Sequence, residues 1–256
     1  GWGDVSCNQP KRGKVLTPAI DTLAAGGMRF TNAHTPHSVC TPTRYSLLTG
    51  RYCWRTYLRE GVLPGYGKPL ISPNRTTLGS MMRSRGYATA AFGKWHIGLG
   101  WKPIEGDPGD FHFGSHLHGP EAKAAIAAVS QRVDHTAAIT GGPIDLGFDT
   151  FFGTPSNCSR IPVFVRDDRV INNPGRDESG MIRDPAVDRQ TVDDLYVAET
   201  KKFIRATKKS GKPFFVYLPL NAAHGAILPP DRHVGGTGIG ARADRCLWVD
   251  ESIAKL

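Results

Sequence analysis

The sequence predicts an α/β fold built around a mainly parallel sheet flanked by helices. Segments of helical and strand character alternate along the chain, and residues 87–92 and 214–218 are near-continuous apolar runs, as strands covered on both faces are. The composition agrees: 39% hydrophobic and 21% charged residues over 256 positions suffice to bury a core without covalent staples. Thirty glycines and 19 prolines predict many ordered loops.

Thr17 and Pro18 suit an N-cap and a first helical position, with Ile20, Leu23 and Ala24 on one face and Gly26-Gly27 as the stop. Residues 28–33 read as a strand and 34–39 as the loop leaving it. Pro42 suits the first position of a second helix, which runs from about Thr43 through Leu47 and Leu48 to Gly50 and leaves Cys40 at its mouth. Thr77 caps a third helix carrying Leu78, Met81 and Met82, closed by Gly86; a strand over 87–92 follows and stops at Gly93. Residues 101–120 are rich in Gly, Pro and His, and the Ala-rich segment behind them predicts a surface helix over 121–133; we read 101–145 as a loop-rich insertion. Thr191 caps a helix with Val192, Leu195, Tyr196, Phe203 and Ile204 inward, ending at Ser210-Gly211 before the strand over 214–218. A last helix covers 247–256.

Lys and Arg number 32 against 23 Asp and Glu, and the net charge of +9 favours anionic partners without choosing among nucleic acid, polysaccharide and small anions. The cluster Lys201, Lys202, Arg205, Lys208 and Lys209 reads as the solvated face of a helix. Neither an RNA-recognition pattern nor zinc-finger spacing is present, so no nucleic-acid partner is expected. Cys7, Cys40, Cys53, Cys158 and Cys246 form no CxxC pair and are odd in number, which indicates neither a zinc site nor a disulfide framework. No apolar run approaches the roughly 18 residues of a membrane span, and nothing at the first residues reads as a signal peptide.

Three segments place polar side chains just after predicted strands: residues 40–44, 93–96 and 221–224. In a sheet of this kind they converge on the carboxyl edge, where ligands bind. In the first, a thiol stands at a helix start, where free N–H groups favour negative charge, with Arg44 one turn on. A free Cys is as readily a small buried hydrophobe. In the second, Lys94 and His96 lie two apart, on one side of the chain if it stays extended, and both reach one anion from there. His224 follows the strongest strand, one of nine histidines.

Together the segments are specific. Cys40-Thr41-Pro42-Thr43-Arg44, followed by Thr49-Gly50, resembles the first signature of the sulfatase family, and the stretch from Gly86-Tyr87 to Gly93-Lys94-Trp95-His96 resembles the second. Gly1-Trp2-Gly3-Asp4, Thr17-Pro18-Ala19-Ile20-Asp21, Gly147-Phe148-Asp149 with Phe151-Phe152-Gly153, and Pro213-Phe214-Phe215 leading to His224 are similar to arylsulfatases of that family. The resemblance covers nearly the whole chain apart from 101–145. It implies an alkaline-phosphatase-like fold, incomplete at both ends, in which residues 1–256 are part of an N-terminal catalytic domain.

The resemblance also implies a chemistry. Cys40 would be converted to formylglycine by a formylglycine-generating enzyme, and one hydroxyl of its hydrate would attack sulfur. The alcohol leaves, a covalent sulfo-enzyme remains, and deprotonation of the second hydroxyl releases sulfate. By motif position Arg44 would hold the formylglycine, Lys94 the sulfate oxygens and His96 the hydroxyl that loses its proton; His224 would contact sulfate or protonate the leaving oxygen. Family members also bind a divalent cation, typically calcium, through the modified residue (here position 40) and Asp and Asn ligands; those carboxylate pairs are not in this sequence. The expectation is therefore a sulfatase, acting on a small or polymeric sulfate ester in the periplasm or outside the cell, of which this stretch alone is inactive. A phosphonate or phosphodiester hydrolase of the same superfamily and a non-catalytic polyanion-binding fragment stand as alternatives.

Overall fold

The structure, a computed structural model, describes residues 2–9, 15–107 and 119–256. Its centre is a five-stranded sheet in the order β4-β3-β2-β1-β7, formed by β1 (Ala88–Lys94), β2 (Thr150–Thr154), β3 (Val165–Arg166), β4 (Arg169–Val170) and β7 (Phe214–Tyr217). The three strands β2, β1 and β7 run parallel, while β3 and β4 add an antiparallel hairpin at one edge. The sheet is thus mixed, with its parallel part where the sequence expects it. A separate two-stranded hairpin joins β5 (Gly175–Arg176) to β6 (Ile182–Arg183).

Strand β1 explains the apolar run that predicts it. Alternate side chains point to opposite faces, so Ala91 joins one hydrophobic cluster with Trp95, Phe148 and Phe151, while Ala90 and Phe92 join another with Phe152, Tyr196 and Trp248. Helices α2 (Cys40–Thr49), α3 (Leu78–Ser84) and α4 (Gly119–Gln131) supply the first cluster or its rim; α5 (Val192–Ser210) and α6 (Ala241–Ala254) supply the second. α1 (Pro18–Gly26) packs on α6.

Several local expectations hold. Thr77 closes a capping box with Ser80 at α3, Gly50 and Gly211 end α2 and α5 in the left-handed conformation, and the cationic end of α5 faces solvent. Others are corrected. Residues 28–33 form no strand: Met28 and Phe30 are 79% and 70% exposed, and a strand without a neighbour cannot satisfy its backbone. α2 starts at Cys40, so Pro42 is its third residue, still within the first turn where its missing N–H costs nothing. β1 runs on through Lys94. Thr17 and Thr191 precede their helices without capping them: the Thr17 hydroxyl turns to Ser6 and Asp21, and Leu195, expected inward, is exposed. α4 is half-buried rather than superficial, because Ile126, Ala127 and Val129 enter the first cluster. Within the expected insertion, residues 108–118 with their three histidines lie outside the described residues.

Two glycines bring the parallel strands close at their carboxyl ends. Gly93 is opposite Gly153, and a Cβ on Gly153 would collide with the Gly93 carbonyl. At Gly93, whose φ is 136°, a Cβ would run into the Pro219 carbonyl.

Candidate active site

The site lies where the carboxyl ends of β1, β2 and β7 meet the first turn of α2. Val39, extended before that turn, makes no side-chain cap, so the leading N–H groups of α2 have no capping side chain. Thr41, buried, donates its hydroxyl to the His96 carbonyl at 2.9 Å and accepts from the Leu63 N–H at 3.3 Å. One turn later, Arg44 donates from Nη1 to the Lys94 carbonyl at 2.5 Å, and its charge acts on the Tyr217 hydroxyl. These bonds fix the mouth of α2 against the end of β1.

Lys94 is 2% exposed, and the Cys40 side chain is among the groups that act on its ammonium. Burial, then the like charge of Arg44, lower its pKa to about 8. Cys40 itself is half-buried at the foot of an open cleft of about 880 Å³ that Arg44, Tyr217 and Pro219 also line.

His96 follows β1 with a left-handed backbone, φ 55°. Its N–H donates to the Pro155 carbonyl at 2.9 Å, and Thr41 grips its carbonyl, which together hold a conformation rare for a non-glycine residue. The ring is 2% exposed and Nε2 lies 3.0 Å from the Leu63 carbonyl. A carbonyl only accepts, so Nε2 carries the proton and Nδ1 is left as a buried acceptor with no partner. Burial, then the charges of Lys94 and Arg44, hold the ring well below its ordinary pKa, which keeps it neutral.

His224 stands at the exposed rim. The Ala226 N–H donates to its Nδ1 at 3.2 Å, which leaves Nε2 as the proton-bearing nitrogen. Partial burial and then the charge of Lys94 lower its pKa to about 4. Its loop is anchored by Asp193, a buried carboxylate on α5 that accepts the N–H groups of Asn221 at 2.8 Å and Ala222 at 2.7 Å. Burial raises Asp193 to about 6.

The structure therefore brings Cys40, Arg44, Lys94 and His96 to one place, with His224 at its edge. Sequence reasoning missed three participants: Thr41, Asp193 and Arg160, whose charge acts on Lys94, His96 and His224 alike. Arg160 lies well beyond the end of β2 at Thr154, outside the strand-exit reading that reaches His96 just after Lys94. Among the described residues, no group of three or more His, Cys, Asp or Glu could hold a metal ion, and the charged neighbours of Cys40 are cations. These residues do not by themselves fit calcium.

The fold and site define an α/β protein with a cationic pocket around one thiol-bearing residue, at the carboxyl edge of its parallel strands. The sulfatase family model matches residues 1–256, and the chain belongs to the sulfatase family. It is 30% identical to an N-acetylgalactosamine-6-O-sulfatase of Bacteroides thetaiotaomicron over 100% of this chain and 52% of that protein, and 27% identical to arylsulfatase A of Bos taurus over 100% and 45%. A 6S-sulfatase structure from a study of glycosaminoglycan metabolism by Bacteroides thetaiotaomicron superposes with a TM-score of 0.76 at 28% identity, covering 100% of this chain and 55% of that one. The PsFucS1 sulfatase of Pseudoalteromonas sp. superposes at 0.66 and 22% identity, covering 99% and 48%, a likeness of fold. The chain spans about half the length of these relatives, and its fold is the alkaline-phosphatase-like one they share. No helix among the described residues is long and apolar enough to cross a membrane.

Proposed function

We propose that the protein carrying this chain hydrolyses sulfate monoesters in the periplasm or outside the cell, with residue 40 acting after conversion to formylglycine by a formylglycine-generating enzyme. The observation that carries this is the buried Lys94, whose ammonium feels the side chain at position 40, together with a buried imidazole nitrogen of His96 with nothing to accept from. An inert thiol needs neither.

Formylglycine supplies a hydrated aldehyde, one hydroxyl to displace the ester alcohol from sulfur and a second whose deprotonation expels sulfate. Lys94 binds the sulfate oxygens, its buried ammonium already within electrostatic reach of residue 40. Arg44 orients residue 40 and adds a second fixed positive charge. His96 takes the proton of the second hydroxyl on Nδ1, the lone-pair nitrogen, while Nε2 stays tied to Leu63. His224 offers its Nε2 proton at the rim, to a sulfate oxygen or the leaving alcohol. The family's divalent cation, typically calcium, takes six to eight oxygens. The described residues do not furnish them, and no step here passes through it.

The deciding experiment is mass spectrometry of the tryptic peptide covering residues 30–44, from protein made in a host with the modifying enzyme, alongside turnover of 4-nitrophenyl sulfate. The aldehyde mass and sulfate release are expected. An intact thiol in an active protein removes the formylglycine reading; hydrolysis of a phosphonate ester in preference to the sulfate moves the protein to the neighbouring activity.

A further inference from the structure

Arg160 joins one cavity to the charges of another site. Its positive charge acts on Lys94, His96 and His224. It also lines a separate cavity of about 210 Å³ between α4 and the β5–β6 hairpin, with Lys123 on one side and Arg183 on the other. At about 30 Å³ per water this holds some seven waters, or one small polar group of a larger ligand.

The charges there are unbalanced. The one carboxylate among the described residues of the cavity, Asp177, is engaged by Arg183 at 3.3 Å and by the Ser179 hydroxyl at 2.5 Å and backbone N–H at 3.0 Å. Lys123 is exposed. Arg160 is half-buried and makes no ion pair among the described residues. Ala122, Ile126 and Met181 complete an apolar floor under these cations. A half-buried guanidinium without a counter-ion, over a cavity and next to a sulfate-binding lysine, is suited to an anion that arrives with the substrate.

Resting on the sulfatase reading, we propose that Arg160, with Lys123 and Arg183, forms a second anion subsite that selects acidic sulfated saccharides. The scissile sulfate binds at Lys94, and a further carboxylate or sulfate on the alcohol portion binds at Arg160. Arg160 is then a specificity-determining residue, and the preference is for substrates with two negative groups over those with one.

The test uses the protein as the cell makes it, with three substrates: 4-nitrophenyl sulfate, a monosulfated disaccharide containing a uronic acid, and a disulfated disaccharide. Wild type should show the higher kcat/KM on one or both disaccharides, and which one tells carboxylate from sulfate. Arg160→Ala should cut that preference about tenfold, the effect of losing one charge-assisted contact, with partial recovery in Arg160→Lys. Lys123→Ala, at an exposed position that leaves the fold intact, should cut it in the same direction. Calorimetric binding of the desulfated uronic disaccharide reads the subsite without turnover and should weaken in the same variants. The subsite is overturned if preference and binding are the same in wild type, Arg160→Ala and Lys123→Ala. Failure to turn over 4-nitrophenyl sulfate or either disaccharide, with disaccharide binding still dependent on Arg160, would instead sink the sulfatase reading and leave the subsite standing.

Discussion

Arg44 donates to the main-chain carbonyl of Lys94 at 2.5 Å, across 50 residues of sequence. The bond joins α2, one turn in from Cys40, to the last residue of β1, so residue 40 and Lys94 are held by one rigid corner. Helix and strand could otherwise slide past each other, and the pocket would lose its shape.

Arg44→Lys keeps the charge but not the planar guanidinium that reaches the Lys94 carbonyl. We expect kcat to fall by about 10²-fold, the usual effect of removing one preorganised donor, with an unchanged circular dichroism spectrum. Activity within a factor of two of wild type would show that the corner does not need its tether.

Lys94 sets an alkaline limit. Burial and Arg44 bring it to about 8 from an ordinary 10.5, so the cation that binds sulfate is lost as pH rises through about 8, and kcat/KM should fall there. Stability should move oppositely: between about 8 and 10.5 the unfolded chain binds this proton and the folded one does not, so unfolding free energy rises with pH. A kcat/KM profile flat to pH 10 would remove Lys94 from the site.

His96→Ala should lower kcat by about 10²- to 10⁴-fold, as for loss of a positioned base, with a smaller change in KM. It also leaves the Leu63 carbonyl unpaired, at a cost of about 1 to 3 kcal/mol that urea unfolding would measure. Since the ring is held well below 6.5, the wild-type rate should have no acid limb from this group near neutrality. An unchanged kcat in a destabilised variant would make His96 purely structural.

Asp193→Asn tests the anchor of the His224 loop. The amide accepts only one of the two N–H groups that the carboxylate accepts at 2.8 Å and 2.7 Å. Hydrogen exchange at Asn221 and Ala222 should quicken by about tenfold, equivalent to about 1.4 kcal/mol of lost protection. The removed carboxylate is ionised in the fold only above about 6, and in the unfolded chain above 3.8, so the variant's stability deficit should be larger at pH 4 than at pH 7. Equal exchange in both proteins would mean that the loop holds itself.

Gly153→Ala places a methyl against the Gly93 carbonyl, at the register position where two glycines meet. Strand separation or side-chain displacement should cost about 1 to 3 kcal/mol, read as a lower urea midpoint with the same m value. No shift in midpoint would mean that β1 and β2 have slack at this end.

The elements most legible in the sequence are those whose signals are local. The stop at Gly50, the capping box at Thr77, and the apolar run of β1 each depend on neighbours a few residues away. Cys40 and Arg44 read as one turn apart, and Lys94 and His96 as neighbours after a strand, for the same reason. Residues 28–33 show the limit: their pattern suits a strand, yet Met28 and Phe30 lie exposed, because pairing depends on what lies alongside. Arg160 and Asp193 carried no local mark.

By itself the sequence determined which functional groups the chain possesses, their order, and the α/β alternation that delivers three of the groups to strand ends. Only the tertiary structure decided their chemical state: that Lys94 is buried beside residue 40, that His96 keeps its proton on Nε2, and that Arg160 makes no ion pair among the described residues. The reason is physical. A proton's position and a charge's cost depend on the groups packed within a few ångströms, and here Leu63 and Thr41 reach His96 from 33 and 55 residues away.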